Sequence, residues 1–258
     1  MVLKRLSNRF KKIFELSLQL AKTNFKLRNE GSYLGILWYL LEPLLLFLIL
    51  IFISSSFVMK GGPNYPIYLL IGLITFNFFR KATVQSASSI SGNSEFIKNI
   101  KIPHESLVIS RVIEGIFSHF FEIILLIFFM FFYKISFAGL IFYPLILAFL
   151  ILFILGISFI LSTLSVYVND LNNVWNVLTT LLWFVTPIFY FVEEGSRLYM
   201  INLFNPMFYF ITIMREVLIY QKVPELWMIL VAVNFSLLIL IIGFLVFGKY
   251  RNKFAEML

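Results

Sequence analysis

The 258-residue chain is 60% hydrophobic and only 13% charged, with a mean hydropathy of +0.93. A soluble domain carries about 25% charged residues, so a water-soluble globule is excluded and a bilayer is the solvent for most of the chain. The net charge of +8 has no soluble fold to present it to nucleic acid, and the absence of cysteine excludes disulfides and thiolate metal sites.

The chain begins with a basic leader. Residues 1–28 hold eight Lys and Arg, including Lys22, Lys26 and Arg28, against one acid, Glu15. Leu3, Leu6, Phe10, Ile13, Phe14 and Leu20 recur at helical spacing. The pattern predicts an amphipathic helix over 2–27, lying in the interface and drawn to anionic headgroups. A signal peptide is not expected, because Glu15 and Gln19 break the apolar part and no small-residue cleavage site follows. The predicted units are 1–29, the interfacial helix; 30–250, the transmembrane domain; and 251–258, a tail.

Six spans are predicted: about 34–57, 66–82, 106–133, 138–167, 174–192 and 226–248. Gly31, Ser32 and Gly35 lead into the first and predict a close approach of backbones. Trp38 and Tyr39 suit a membrane surface. Glu42-Pro43 needs partners from protein or water. Arg80-Lys81 is expected to stop the second span. Residues 80–111 form a polar, basic loop whose second half, 95–105, reads as a short amphipathic helix. Phe96, Ile97 and Ile100 form its apolar stripe, Lys98 and Lys101 line another side, and Ile102-Pro103 ends it.

The third span carries His119 and Glu122, three apart on one face. They fit a proton relay or a hydrogen-bonded packing pair, and packing is favoured. Asp170 is expected to cap the fifth helix. Residues 193–222 are too short for a span. Asn205-Pro206 divides them into two apolar pieces, the second interrupted by Arg215, which predicts interfacial or re-entrant helices. Sixteen of the 21 basic residues fall on the side holding both termini, which predicts cytoplasmic termini. No Gly-rich phosphate loop, aspartate cluster or nucleophile with a base is present, so no catalytic or metal-ligating residue is assigned and this chain binds no ATP of its own in the usual way.

Taken together, Arg28, Ser32, Leu34-Gly35, Trp38 and Pro43, then Asn93, Ile97-Lys98 and Ile102-Pro103, then Pro187-Ile188, Tyr190 and Asn205-Pro206-Met207, resemble the permease subunits of ABC-type polysaccharide and polyol-phosphate exporters. Those proteins export O-antigen, capsule or teichoic-acid chains. The resemblance runs from about residue 20 to 250. It departs at Asn169, where the family has arginine before Asp170, and at Ile102, where the family has a bulky aromatic.

The resemblance implies an all-α integral membrane protein with six spans. It implies a homodimer conduit in the cytoplasmic (inner) membrane, driven by two copies of a separate ATP-binding subunit that carries the ATP and magnesium. It makes the 95–105 loop the coupling helix that docks on that ATPase, against the plainer reading of a membrane-surface loop. It places lipid-phosphate attraction at Lys22, Lys26, Arg28 and Ser32, and outer re-entrant helices around Asn205, Pro206 and Arg215. Sugar rings pack on aromatic faces, so Trp38, Tyr39, Trp175, Trp183 and Tyr190 are candidate channel linings, although most aromatics here must face lipid or fill packing. Two other readings stand beside this one: a drug or small-lipid exporter, and a membrane enzyme of polyprenyl-phosphate metabolism using Glu193, Glu194 and Arg197.

Overall fold

The computed structural model describes residues 2–54, 62–100 and 102–257, with side chains from residue 8 onward except that of Phe96. The first outer loop around Lys60-Gly61, the end of the first predicted span, Lys101 and the Phe96 side chain therefore lie outside the described residues.

The described chain is helical. The elements are α1 (Val2–Asn29), α2 (Trp38–Ile53, entered through a 3₁₀ turn at Gly35–Leu37), α3 (Tyr65–Ala87), α4 (Ser94–Asn99) and α5 (Glu105–Phe132). They continue as α6 (Tyr143–Leu164), α7 (Leu171–Val185), α8 (Arg197–Asn202), α9 (Pro206–Leu218), α10 (Leu226–Tyr250) and α11 (Phe254–Met257). Five helices among the described residues are long and apolar enough to cross a bilayer: Gly35–Ile53, Tyr65–Ala87, Glu105–Phe132, Tyr143–Leu164 and Leu226–Met257.

The bundle is organised around α3. Nearly all its side chains from Tyr65 to Phe79 are buried, because it packs against α2, α5, α6, α7 and α9 at once. The sequence reading ended this helix at Arg80-Lys81, yet it runs on to Ala87. The reason is non-local. Lys81 Nζ lies 2.9 Å from Glu42 of α2 and 3.6 Å from Glu122 of α5, so its charge is met by neighbouring helices and needs no loop.

The tightest helix pair is α6 with α10. Gly156 and Gly243 meet there, and a Cβ on Gly156 would fall 2.5 Å from the Ile239 carbonyl. Small residues allow such backbone approach where apolar burial gives helices little reason to associate. The predicted close approach at Gly31 and Gly35 is not found. Nothing lies within 4 Å of a Cβ on Gly31. Its φ of +78° instead turns the chain out of α1, a conformation that glycine reaches without steric cost.

The leader forms a helix over the expected range but buries an unexpected face. Ile13, Ser17 and Ala21 are buried in the packing of α1 along α5, whereas Phe10 and Phe14 are 63% and 60% exposed. The small Ser17 and Ala21 let the two helices close up, which a search for bulky apolar residues cannot register.

The helix of the fifth predicted span, 174–192, begins and ends earlier than expected, at Leu171 and Val185. Helix α7 stops at Val185 after 15 residues, about 22 Å, short of the ~30 Å hydrocarbon core. Thr186 is extended and Pro187 removes the next donor. At the other end Asp170 stands at the N-cap position but its side chain makes no capping bond. The break at Asn205-Pro206 is as expected: Asn205 Oδ1 accepts from Met207 N–H (3.1 Å) and starts α9.

Candidate functional site

Both termini converge on the start of α5. The Glu105 carboxylate is buried there, and Arg9 of α1 reaches it at 3.2 Å while Arg251, beyond α10, also bonds it. Immediately before Glu105 lies α4. Its Ile97 is 5% exposed and sits in a small apolar cluster with Ile90, Leu107, Val108, Phe247 and Phe254. Ile102 packs on the edge of that cluster, and His104 meets Phe254 at 5.9 Å. Burial holds the His104 imidazole below its usual pKa, opposed by the adjacent Glu105 carboxylate. Lys98 and Ile100 face outward, and Pro103 is partly exposed. The predicted stripe is thus split. Ile97 anchors the helix to the body while Ile100 and Lys98 remain free, and α4 itself ends at Asn99, before Ile102-Pro103. A short helix held by one apolar anchor beside a doubly clamped carboxylate is suited to passing a push into α1, α5 and α10 together.

The proposed lipid-phosphate residues do not form one site. Arg28 lies 3.4 Å from the buried Glu114, which also takes Arg111 at 3.1 Å. Lys26 is 3.8 Å from Glu30, and Ser32 Oγ accepts from Gly35 N–H at 3.1 Å. Lys22 is exposed and, among the described residues, carries no ion pair. Arg28 is therefore a structural cation first, because it is one of the two arginines that pair with the buried Glu114 carboxylate.

The five channel candidates are likewise dispersed. Trp38 is exposed. Tyr39 is a correction: it is 6% exposed, with Phe25 stacked at 5.2 Å, Phe121 at 6.0 Å and Arg28 near the ring, so no face is left for a sugar. Trp175 Nε1 donates to Thr83 Oγ1 (3.0 Å) and ties α7 to α3. Trp183 leans on Phe189 at 5.2 Å. The Tyr190 hydroxyl donates to the carbonyls at the end of α7, Phe184 and Val185.

At that end a cap is built from side chains far away in sequence. Asn202 Nδ2 also reaches the Val185 carbonyl (3.1 Å), and Asn205 Nδ2 donates to Thr186 Oγ1 (2.8 Å). Arg215 of α9 completes it. This buried guanidinium donates to the carbonyls of Tyr68 (3.1 Å), Pro187 (2.7 Å) and Ile188 (2.9 Å), and lies over the Tyr68 ring at 3.4 Å. Irregular backbone at membrane depth must have its polar groups met by protein, and here Arg215 meets three carbonyls at once.

In mid-bundle His119 Nδ1 lies 2.7 Å from Glu122 and Nε2 lies 2.7 Å from the Tyr143 hydroxyl. Phe78 stacks on the imidazole at 4.6 Å. The pair shares a face, as the spacing predicted, and joins α3, α5 and α6.

Residues 15–219 match the family model described as ABC-2 type transporter. The chain belongs to the ABC-2 type transporter family. Like other ABC-2 proteins it is a multi-pass membrane protein. Among its relatives, an O-antigen export system permease protein RfbA from Klebsiella pneumoniae is 29% identical over 256 residues, covering 95% of this chain and 96% of the relative. The RfbA of Myxococcus xanthus is 25% identical over 93% of this chain and 94% of its own. The polysialic acid transport protein KpsM of Escherichia coli is 26% identical over 87% and 88%. The ABC-2 match runs from the middle of α1 to the end of α9, so α4, Glu105 and Arg215 fall within it, whereas Arg9 and Arg251 lie outside it.

Proposed function

We propose that this protein is the transmembrane subunit of an ATP-driven polysaccharide exporter. It moves a lipid-linked glycan across the cytoplasmic membrane and draws its energy from a separate ATP-binding subunit. The observation that carries this reading is α4, an exposed helix anchored through Ile97 and leading directly into the Glu105 clamp. Near-full-length similarity to O-antigen export permeases supports the cargo.

The unit is a homodimer. Helices α2 and α7 bury few of their own side chains and leave Leu45, Leu48 and Phe52, and Val177, Leu181 and Phe184, exposed. Such unpartnered faces suit a conduit between two copies. The 186–192 segment completes a sixth crossing, α8 and α9 form a re-entrant outer pair, and both termini are cytoplasmic, on the side that carries the basic excess. ATP and magnesium sit on two partner ATPases, whose closure pushes α4. That push reaches α1 and α10 through Glu105. Lys22 and Lys26 attract lipid phosphate at the inner surface.

The test is reconstitution with the candidate ATPase. Transport of lipid-linked glycan should require nucleotide and should vanish when residues 95–100 are replaced by a Gly-Ser linker of equal length. Transport that persists without nucleotide sinks the reading. A cavity of about 410 Å³ between α6, α9 and α10, lined by Phe142, Phe149 and Phe210, favours a second cargo, a small lipid. Export of a fluorescent phospholipid with no glycan export would select it.

A further inference from the structure

A second cavity, about 350 Å³, opens beside the Arg215 cap, away from the five aromatic residues considered as channel linings except through their neighbour Pro187. Tyr68, Tyr199 and Tyr220 line it with Glu194, Glu216 and Lys222. The walls come from five separate elements: the start of α3, the loop after α7, α8, α9 with the turn that follows it, and the start of α10. Its shape is fixed. Arg215 holds the Tyr68, Pro187 and Ile188 carbonyls, and Lys222 N–H bonds the Glu216 carbonyl at 3.0 Å across a turn that needs a φ of +51° at Gln221.

Glu216 contributes to the lining, but its Oε2 is closed off from solvent, and so from the cavity, and meets no donor among the described residues. Tyr199 and Tyr220 offer aromatic faces, whereas the Tyr68 ring is covered by Arg215 (3.4 Å) and Phe191 (4.6 Å); Glu194, Glu216 and Lys222 add two carboxylates and one ammonium donor. Aromatic faces take the C–H face of a sugar ring, and carboxylates accept from its hydroxyls. The two acids among the lining groups are balanced by Lys222 and the buried Arg215, so the site has no surplus charge to select an anion.

We infer that this cavity is a binding subsite for a neutral hexose or N-acetylhexosamine ring, one per protomer, at the end of the protein opposite the termini. The inference rests on the glycan-export reading and gives it a contact point. Sugars carrying a carboxylate are excluded, because Glu194 and Glu216 would face the charge. Tyr220, which is 50% exposed, closes one side, and its removal leaves the fold intact.

The experiment uses the full-length protein in phosphatidylcholine nanodiscs free of sugar detergents. Saturation-transfer NMR is recorded with methyl β-glucoside, methyl N-acetyl-β-glucosaminide and methyl β-glucuronide at millimolar concentration. Signal is expected from the first two probes and not from the glucuronide. Tyr220→Ala and, separately, the exposed Glu194→Ala should each weaken the effect about tenfold. Both substitutions lie on exposed side chains, and an unchanged melting midpoint checks that they fold. Equal signal from the glucuronide, no signal from any probe, or wild-type signal in both variants overturns the subsite. Nucleotide-driven glycan transport is measured on the same samples with the partner ATPase. Transport without probe binding leaves the exporter reading standing and removes the subsite; probe binding without transport does the reverse.

Discussion

The two ends of the molecule hold their buried charges in different ways. At the end carrying the termini, acids on α5 are met by arginine side chains: Glu105 by Arg9 and Arg251 from the two chain ends, Glu114 by Arg28 of α1 and by Arg111 one turn earlier on α5. At the opposite end one buried arginine, Arg215, is met by three backbone carbonyls and, among the described residues, by no carboxylate. Side-chain pairs let helices shift a little and re-form, because both partners have reach. A guanidinium seated on backbone carbonyls fixes the path of the main chain itself. The first arrangement suits an end that is pushed; the second suits an end that must keep a shape.

Arg215→Met should break the contrast most severely. The Pro187 and Ile188 carbonyls would lose their donor, at about 1–3 kcal/mol each, while the helical Tyr68 carbonyl keeps its backbone partner, so the loss of stability amounts to a few kcal/mol. The melting midpoint in nanodiscs should collapse or the protein fail to accumulate, while Arg215→Lys retains part of the stability. An Arg215→Met protein as stable as wild type would mean the outer cap is not what holds residues 186–192. Next in size is Gly156→Leu. The new side chain would meet the Ile239 carbonyl, forcing α6 from α10 at an overpacking cost of about 1–3 kcal/mol. Because that contact belongs to neither end, it should lower the midpoint without changing how export depends on nucleotide.

The difference between the ends also explains what could be read in advance. The third span, expected at 106–133, is Glu105–Phe132, and the last, expected at 226–248, is Leu226–Tyr250, because a long, largely apolar run with a proline before it and a basic residue at its end carries its own boundaries. The Asn205-Pro206 break was equally visible, since cap and breaker are adjacent in sequence. Arg80 and Lys81 misled because the acids that answer Lys81 come from α2 and α5. The end of α7 misled because its carbonyls are capped by Tyr190 and Asn202, Arg215 holds the Pro187 and Ile188 carbonyls just beyond, and apolar residues continue past the last helical turn. The short helix in the 95–105 segment was legible from its pattern, but not that Ile97 of its stripe is buried while Ile100 is exposed. Glu105 as the meeting point of both chain ends was not, because no local spacing links Arg9 to Arg251. A buried acid at the first turn of a span was the only hint.

Glu105→Gln is a milder change and probes the pushed end. Arg9 and Arg251 are half-exposed, so water takes them up and the stability cost should stay near about 1 kcal/mol. If α4 drives α1 and α10 through this carboxylate, ATP hydrolysis by the partner should continue while glycan export per ATP falls several-fold. Glu105→Asp should restore much of the coupling. An equal fall in hydrolysis and export would make Glu105 a structural residue only.

The smallest effects separate basic residues within the leader itself. Lys22 and Lys26 are exposed, and the 3.8 Å contact of Lys26 with Glu30 is a surface pair worth about 0.3–0.5 kcal/mol. Changing both to Gln should leave the melting midpoint within a degree or so, in keeping with that energy. Arg28→Gln should lower it visibly, because the buried Glu114 keeps only Arg111. Binding to vesicles containing anionic lipid should rank the other way. The double Lys variant should lose affinity, about 1 kcal/mol per removed charge, and the loss should shrink as salt is raised. If Arg28→Gln instead weakens lipid binding most while leaving stability untouched, then Arg28 works outward toward headgroups, and the side-chain clamp at this end reduces to the Glu105 contacts.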